Sequence, residues 1–110
     1  MMKVNEIEKK LALKRVSGFD ADDREVCGCH IGDLLSLVMS RANKDDAWIT
    51  VQGNVNVPAV ASLTDCAMVI IAEGMSLDEA AQKRAESEGI HIFKTDKSAF
   101  ELALDIKECL

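Results

Sequence analysis

The densest group of potential metal ligands is Cys27-Gly28-Cys29-His30, where three thiol or imidazole side chains occur within four residues. A structural zinc site needs four ligands, and its paired cysteines are typically at least two residues apart. The other candidates, Cys66, His91 and Cys109, are single and widely spaced along the chain. The C-x-C spacing also differs from the C-x-x-C spacing of thioredoxin-like redox motifs. We therefore predict small residues in a tight loop here, with no metal site and no cofactor.

The sequence contains no recognisable pair of nucleophile and general base. A general base needs an oriented partner, and neither histidine occurs in such a signature. His30 lies beside a glycine, while His91 lies in an apolar stretch, where we expect an outward or hydrogen-bonded strand residue. The acidic pairs Asp22-Asp23, Asp45-Asp46 and Asp78-Glu79 are typical of turns and of a helix N-terminus. We therefore predict that the chain is not an enzyme.

Two loops remain as candidates for holding an anion. The standard nucleotide fingerprints, G-x-x-x-x-G-K-[ST] and G-x-G-x-x-G, do not occur in the sequence. Gly53-Asn54-Val55-Asn56 precedes a predicted helix, and the free N–H groups of a helix start favour an anion. Thr95-Asp96 stands in the same position before the last helix. The alternative for both is an ordinary loop with a polar helix cap.

Charge and hydropathy exclude several classes of function. The chain has a formal net charge of −6, and such a surface repels nucleic-acid phosphates and anionic lipid. Its longest apolar run, from Ala67 to Ala72, is far shorter than the roughly 20 residues that span a bilayer. The start of the chain has no apolar signal region. We therefore expect a cytoplasmic protein that binds neither nucleic acid nor membrane.

The elements that position these residues follow from periodicity and capping signals. Helices are predicted over residues 3–12, from Gly32-Asp33 with Asp33 as a cap, over 57–63, from a capping box at Ser76 to Gly89, and from a capping box at Ser98 to the end. Strands are predicted over residues 24–27, 47–51, 67–71 and 90–93. Three successive strand–helix units predict one α/β domain over residues 1–110, with three layers and a mostly parallel sheet.

Ligands of such sheets favour the loops that follow the carboxyl ends of the strands. In this chain those loops are Gln52–Asn56, Glu73–Ser76 and Lys94–Lys97. The topology thus gives a place for a site without naming its ligand.

Five stretches of the chain together resemble the DRTGG domain family. They cover nearly the whole chain in the order and spacing of stand-alone members. The stretches are Asp23–Cys29, Ile31–Ser36, Trp48–Gln52, Asn56–Leu63 and Gly89–Ile92.

The resemblance implies an α/β domain that usually dimerises and that occurs alone, beside CBS domains in regulatory proteins and pyrophosphatases, and in phosphotransacetylases. A related fold forms the amino-terminal region of HPr kinase/phosphorylase. In these settings the domain regulates or senses a ligand rather than catalysing. The phosphate loop of the kinase has no counterpart in this chain. One departure is Gly28-Cys29, where many members carry paired glycines, so a cysteine side chain narrows the space at that loop.

The leading hypothesis is therefore a non-catalytic regulatory domain, acting as a homodimer that binds a small anionic metabolite or nucleotide. One alternative is a protein–protein docking module without a small ligand. A phosphotransfer enzyme related to HPr kinase ranks last, because it would need Mg²⁺ ligands and a cationic phosphate clamp. The candidate ligand-binding residues are Gly28, Asp33, Gln52, Asn54, Asn56 and Thr95.

Overall fold

The computed structural model describes all 110 residues and contains five strands and five helices. In chain order they are α1 (Val4–Lys10), β1 (Lys14–Ser17), β2 (Gly28–Ile31), α2 (Leu35–Arg41), β3 (Asp46–Thr50), α3 (Asn56–Thr64), β4 (Met68–Ile71), α4 (Glu79–Ser87), β5 (Ile92–Lys94) and α5 (Ala99–Lys107).

One five-stranded sheet has the order β1-β5-β4-β3-β2. Strands β2 to β5 are parallel neighbours in sequence order, and β1 pairs antiparallel with β5. In that antiparallel pair, Lys14 stands opposite Lys94 and Arg15 opposite Phe93. The expected α/β fold with a mostly parallel sheet is confirmed.

Apolar clusters cover both faces of the sheet, giving three layers. On one face lie the crossover helices α2, α3 and α4, which contribute Val38, Val60 and Ala85 to a cluster around Trp48. On the other face, α1 and α5 pack against a second cluster that contains Phe93. Strand β4 is buried along its whole length, as its continuous apolar sequence predicts.

Strand β1 is absent from the sequence-based prediction, and β2 was predicted in the wrong place. Strand β1 lies at an edge of the sheet, where it is less covered than the central strands. Its sequence, Lys14-Arg15-Val16-Ser17, is mostly polar and has no apolar run that would predict a strand. The predicted strand over 24–27 contains only an isolated bridge from Glu25 to Lys3, and β2 begins at Gly28 instead. Short edge strands have weak patterns since one side of each faces water.

Two of the predicted helix caps are wrong and one is confirmed. Helix α4 begins after Asp78 rather than after Ser76, and α2 begins after Leu34 without a bond from Asp33. The Ser98 side chain accepts a hydrogen bond from the Glu101 backbone N–H and caps α5, as predicted. No helix has the length and apolarity that crossing a bilayer requires.

A close crossing of two loops explains the late start of α4. The Asp78 N–H donates to the Gly53 carbonyl over 2.7 Å. A Cβ at Gly53 would lie 1.9 Å from the Ser76 carbonyl oxygen, so only glycine fits there. The residues after β4 thus remain extended across the loop that follows β3.

Candidate functional site

Four of the predicted ligand residues form one hydrogen-bonded group at the carboxyl ends of β2 and β3. The Asp33 carboxylate accepts from the Thr50 hydroxyl and from the Val51 N–H, both over 2.8 Å. Gln52 Nε2 donates to the Asp33 carbonyl over 3.3 Å. We call the group of Asp33, Thr50, Gln52, Asn54 and Asn56 the loop network.

The two asparagines extend the loop network toward α3. Asn54 Nδ2 donates to Gln52 Oε1 over 3.1 Å, and Asn54 Oδ1 accepts from the Asn56 N–H over 2.9 Å. These bonds use much of the polar capacity that an anion would need, and Asp33 adds a carboxylate to the group. The loop network is thus built to order the loop between β3 and α3.

Gly28 lies at the amino end of β2, at the opposite end of the strands from the loop network. It starts β2, where it stands opposite Asp46 at the start of β3. A Cβ at Gly28 would lie 2.6 Å from Asp46 Oδ1. The other oxygen of this buried carboxylate accepts from the Asn43 N–H over 2.8 Å. The six predicted residues therefore do not form one site, and Gly28 makes room for Asp46.

Arg24, which belongs to the motif region, fixes the segments at the amino ends of β3 and β4. Arg24 pairs with Asp45 and with Asp65, the latter over 3.0 Å, and donates to the Asp65 and Cys66 carbonyls. Such a fork-like arrangement fixes several backbone segments at once. Arg24 and Gly28 thus have structural roles in the motif region.

Thr95 lies in a different group, in a cavity of about 440 Å³ at the carboxyl end of β5. The walls of this cavity come from Leu11, Ala12, Lys14, Lys94, Thr95, Asp96 and Lys97. We call Lys14, Lys94, Thr95 and Lys97 the lysine corner. Strand β4 lies between β5 and β3. The lysine corner and the loop network are therefore about 10 Å apart, both at the carboxyl ends of the parallel strands.

The lysine corner holds two cations without carboxylate partners. Lys14 and Lys94 stand directly opposite each other in the β1–β5 pair, an arrangement that places Cβ atoms about 5 Å apart and is destabilising for like charges. Neither ammonium group lies within 4.0 Å of a carboxylate oxygen. Lys97 pairs with Asp105 over 2.6 Å, and this hydrogen bond raises the pKa of Lys97.

The sequence places Thr95, Lys94 and Lys97 in one predicted ligand loop but does not indicate Lys14. The missing signal was β1, because without that strand nothing brings Lys14 next to Lys94. The polar start of β1, taken together with a lysine at the end of an apolar strand, would have indicated the pair.

The buried His91 is hydrogen-bonded through both ring nitrogens, as expected. Arg15 Nη1 lies 2.8 Å from His91 Nδ1, and His91 Nε2 lies 2.8 Å from the Asp22 carbonyl. Since arginine can only donate, Nδ1 is the acceptor and Nε2 carries the proton. The Arg15 guanidinium also lies over the Phe93 ring, 4.7 Å from its centroid.

The Cys27–His30 segment forms the start of β2 rather than a tight loop. No three His, Cys, Asp or Glu side chains are placed to hold a metal ion. All four cysteines are free, and burial, with a smaller effect of Asp46, raises the pKa of the Cys29 thiol to about 11. The protonated thiol is a weak nucleophile.

No family model and no curated protein matches the sequence. Among solved structures, the fold is similar to the CBS and DRTGG domains of the regulatory region of Clostridium perfringens pyrophosphatase, determined with the activator diadenosine tetraphosphate. The TM-score is 0.75 at 12% sequence identity, over 97% of this chain and 46% of that one. This chain thus spans less than half of that structure and shares a fold with it.

Proposed function

We propose that this chain is a non-catalytic regulatory domain of the DRTGG kind, which senses a small anionic ligand in the cytoplasm as a homodimer. The resemblance of the Asp23–Cys29 region supports the assignment. A fold shared with the regulatory region of a pyrophosphatase that was solved with an anionic nucleotide supports it further.

The observation that carries this proposal is the lysine corner. Its cavity of about 440 Å³ falls within the usual range of small-molecule sites. Two opposed lysines without carboxylate partners repel each other, and a bound anion removes that repulsion. Of the six predicted ligand residues, Thr95 contacts the anion in this proposal, and the loop network holds the neighbouring loop in place.

A thermal-unfolding panel of inorganic phosphate, phosphorylated metabolites, nucleotides and divalent metals tests the proposal. A ligand at 100 times its dissociation constant stabilises by about 2.7 kcal/mol, which raises the midpoint by roughly 10 °C or more in a domain of this size. We expect a selective increase with one class of anion. A flat panel contradicts a sensing function.

Three variants locate the site. Lys94→Gln should reduce the increase by half or more, whereas Lys44→Gln, which changes an exposed lysine at the other end of β3, should preserve it. The double variant Asn54→Ala/Asn56→Ala separates the lysine corner from the loop network. Binding that survives Lys94→Gln but not the asparagine changes would move the site to the loop network.

A docking module without a small ligand is the second candidate function. Phe100 and Leu104 lie four residues apart on α5, with 72% and 51% of their surface exposed. Residues four apart share one face of a helix, so the pair presents an apolar surface for another protein. A flat ligand panel, together with loss of a partner upon Phe100→Ser/Leu104→Ser, would favour this function.

A further inference from the structure

A second cavity meets the first at the lysine pair. It has a volume of about 300 Å³, and Lys14 and Lys94 belong to its walls as well. Its other walls come from Arg15, Val16, Phe19, Ser76, Leu77 and Gln82. The second cavity, which we call the groove, therefore has both the lysine pair and the aromatic ring of Phe19 in its walls, and it shares the lysine pair with the first cavity.

The aromatic ring of Phe19 is exposed, and the turn that precedes it is fixed. Phe19 has 63% of its surface in water. The turn before it is fixed because the Gly18 N–H donates to Glu86 Oε2 over 2.6 Å and the Gly18 carbonyl accepts from Arg15 Nη1 over 2.7 Å. Gly18 has a φ of +82°, and a Cβ there would lie 2.8 Å from the Ile90 carbonyl oxygen. An exposed phenyl ring that follows a fixed turn is suited to stacking on a flat apolar group.

The charged residues around the groove determine how a ligand is oriented in it. Around Phe19, a third cavity of about 460 Å³ is lined by Glu79 and Glu86, with Lys83 as its one basic residue. These two carboxylates repel an anion. Lys14 and Lys94 attract one, because no carboxylate lines the groove and Asp96 is the one carboxylate in the walls of the first cavity. A ligand along the groove therefore has its anionic group at the lysine pair and an uncharged part at Phe19.

We propose that the ligand is a nucleoside phosphate, with its phosphate between Lys14 and Lys94 and its base stacked on Phe19. This inference rests on the proposed function, because it assigns a chemical class to the anion sensed at the lysine corner. Lys14, Lys94 and Phe19 all belong to the walls of the groove, whose volume is about 300 Å³. One small ligand in the groove can therefore contact the lysine pair with its phosphate and the ring with its base.

Isothermal titration of the full chain measures whether the base contributes. The probes are the 5′-mono- and triphosphates of the four common ribonucleosides, with ribose 5-phosphate and tripolyphosphate as base-free counterparts. Stacking of a base on an aromatic ring is worth about fivefold or more in affinity. We expect at least one nucleotide to bind at least fivefold more tightly than its base-free counterpart.

Matched variants separate the two ends of the ligand. Phe19→Ala should remove the advantage of the base and leave the affinity for tripolyphosphate unchanged, while Phe100→Ala, another exposed phenylalanine, should change neither. Lys94→Gln should weaken nucleotide and tripolyphosphate alike by tenfold or more. Because Phe19 is not a core residue, Phe19→Ala should keep the unfolding midpoint of the parent. Lys94→Gln should keep or raise the midpoint, because it removes the repulsion between Lys14 and Lys94.

The outcomes distinguish this inference from the proposed function. Equal affinity for nucleotides and base-free phosphates overturns the nucleoside assignment and leaves an anion sensor. A base advantage that survives Phe19→Ala overturns the stacking of the base on Phe19. No binding of any phosphate overturns both.

Discussion

At the scale of single residues, polar side chains that could take part in chemistry, such as Arg15, Arg24 and His91, form hydrogen bonds that stabilise the fold. Arg24 connects its own segment with the two segments that precede β3 and β4. Arg15 contacts His91, Glu8 and the Gly18 carbonyl. No buried side-chain nitrogen or oxygen is left without a partner. Arg15 donates to Nδ1 of the buried His91, so His91 cannot take up a second proton without losing that hydrogen bond. Protonation of His91 should therefore lower the stability of the fold.

We expect His91 to make the folded state sensitive to acid. Burial lowers the pKa of His91, and the adjacent Arg15 lowers it further, against the opposing hydrogen bond to the Asp22 carbonyl. The unfolded chain therefore binds this proton at a higher pH than the folded chain does. The free energy of unfolding should fall as the pH drops below about 6.5, by up to about 1.4 kcal/mol per pH unit.

Urea unfolding between pH 5 and pH 8 measures this dependence. His91→Gln should reduce the slope below pH 6.5, whereas His30→Gln, which removes the chain's other histidine, should keep the contribution of His91. A parent-like slope in His91→Gln would show that other groups cause the loss in acid.

At the scale of elements, two serines with the same sequence signal have different environments. Ser76 and Ser98 each begin a capping-box pattern, but only the Ser98 side chain caps a helix, accepting from the Glu101 N–H over 3.1 Å. Ser76 lies two residues before the N-cap of α4, with its carbonyl against Gly53. The difference comes from the crossing of two loops.

Ser98→Ala should therefore lower the free energy of unfolding by about 1 kcal/mol, the usual cost of losing an N-cap. Ser76→Ala should change it by less than about 0.5 kcal/mol, because the exposed hydroxyl has no capping bond. Urea denaturation of both variants gives the comparison. Equal losses would mean that α4 begins at Ser76 in solution.

The sequence predicts those elements of this fold that have local signals, and it fails where an element depends on pairing with a distant part of the chain. The apolar runs of β3 and β4 and the Ser98 cap are local signals, and each gave its element within a residue or two. Strand β1 is polar because it lies at an edge, and its identity depends on pairing with β5. The lysine corner depends on that long-range pair, so local patterns could indicate the loop Lys94–Lys97 but not its pairing with Lys14.

At the scale of the whole molecule, the two edges of the sheet differ in their protection. The open side of β1 is covered by α4, where Gln82 Nε2 donates to the Val16 carbonyl over 3.0 Å. Beside β2, the exposed side chains are largely apolar and include Ile31, Leu34 and Leu37. A sheet edge of this kind invites association with another chain. A further exposed apolar pair, Phe100 and Leu104, lies on α5.

We expect a homodimer that uses one of these two apolar surfaces, because a twofold interface joins the same patch on both subunits. Sedimentation equilibrium should give about twice the chain mass of 12.0 kDa. One of the double variants, Leu34→Ser/Leu37→Ser or Phe100→Ser/Leu104→Ser, should return the protein to a monomer, and the other should leave the dimer intact. Since all four side chains are solvent-exposed, neither change should unfold the chain. A constant mass of one chain at tens of micromolar would contradict the dimer and leave both surfaces for docking other proteins.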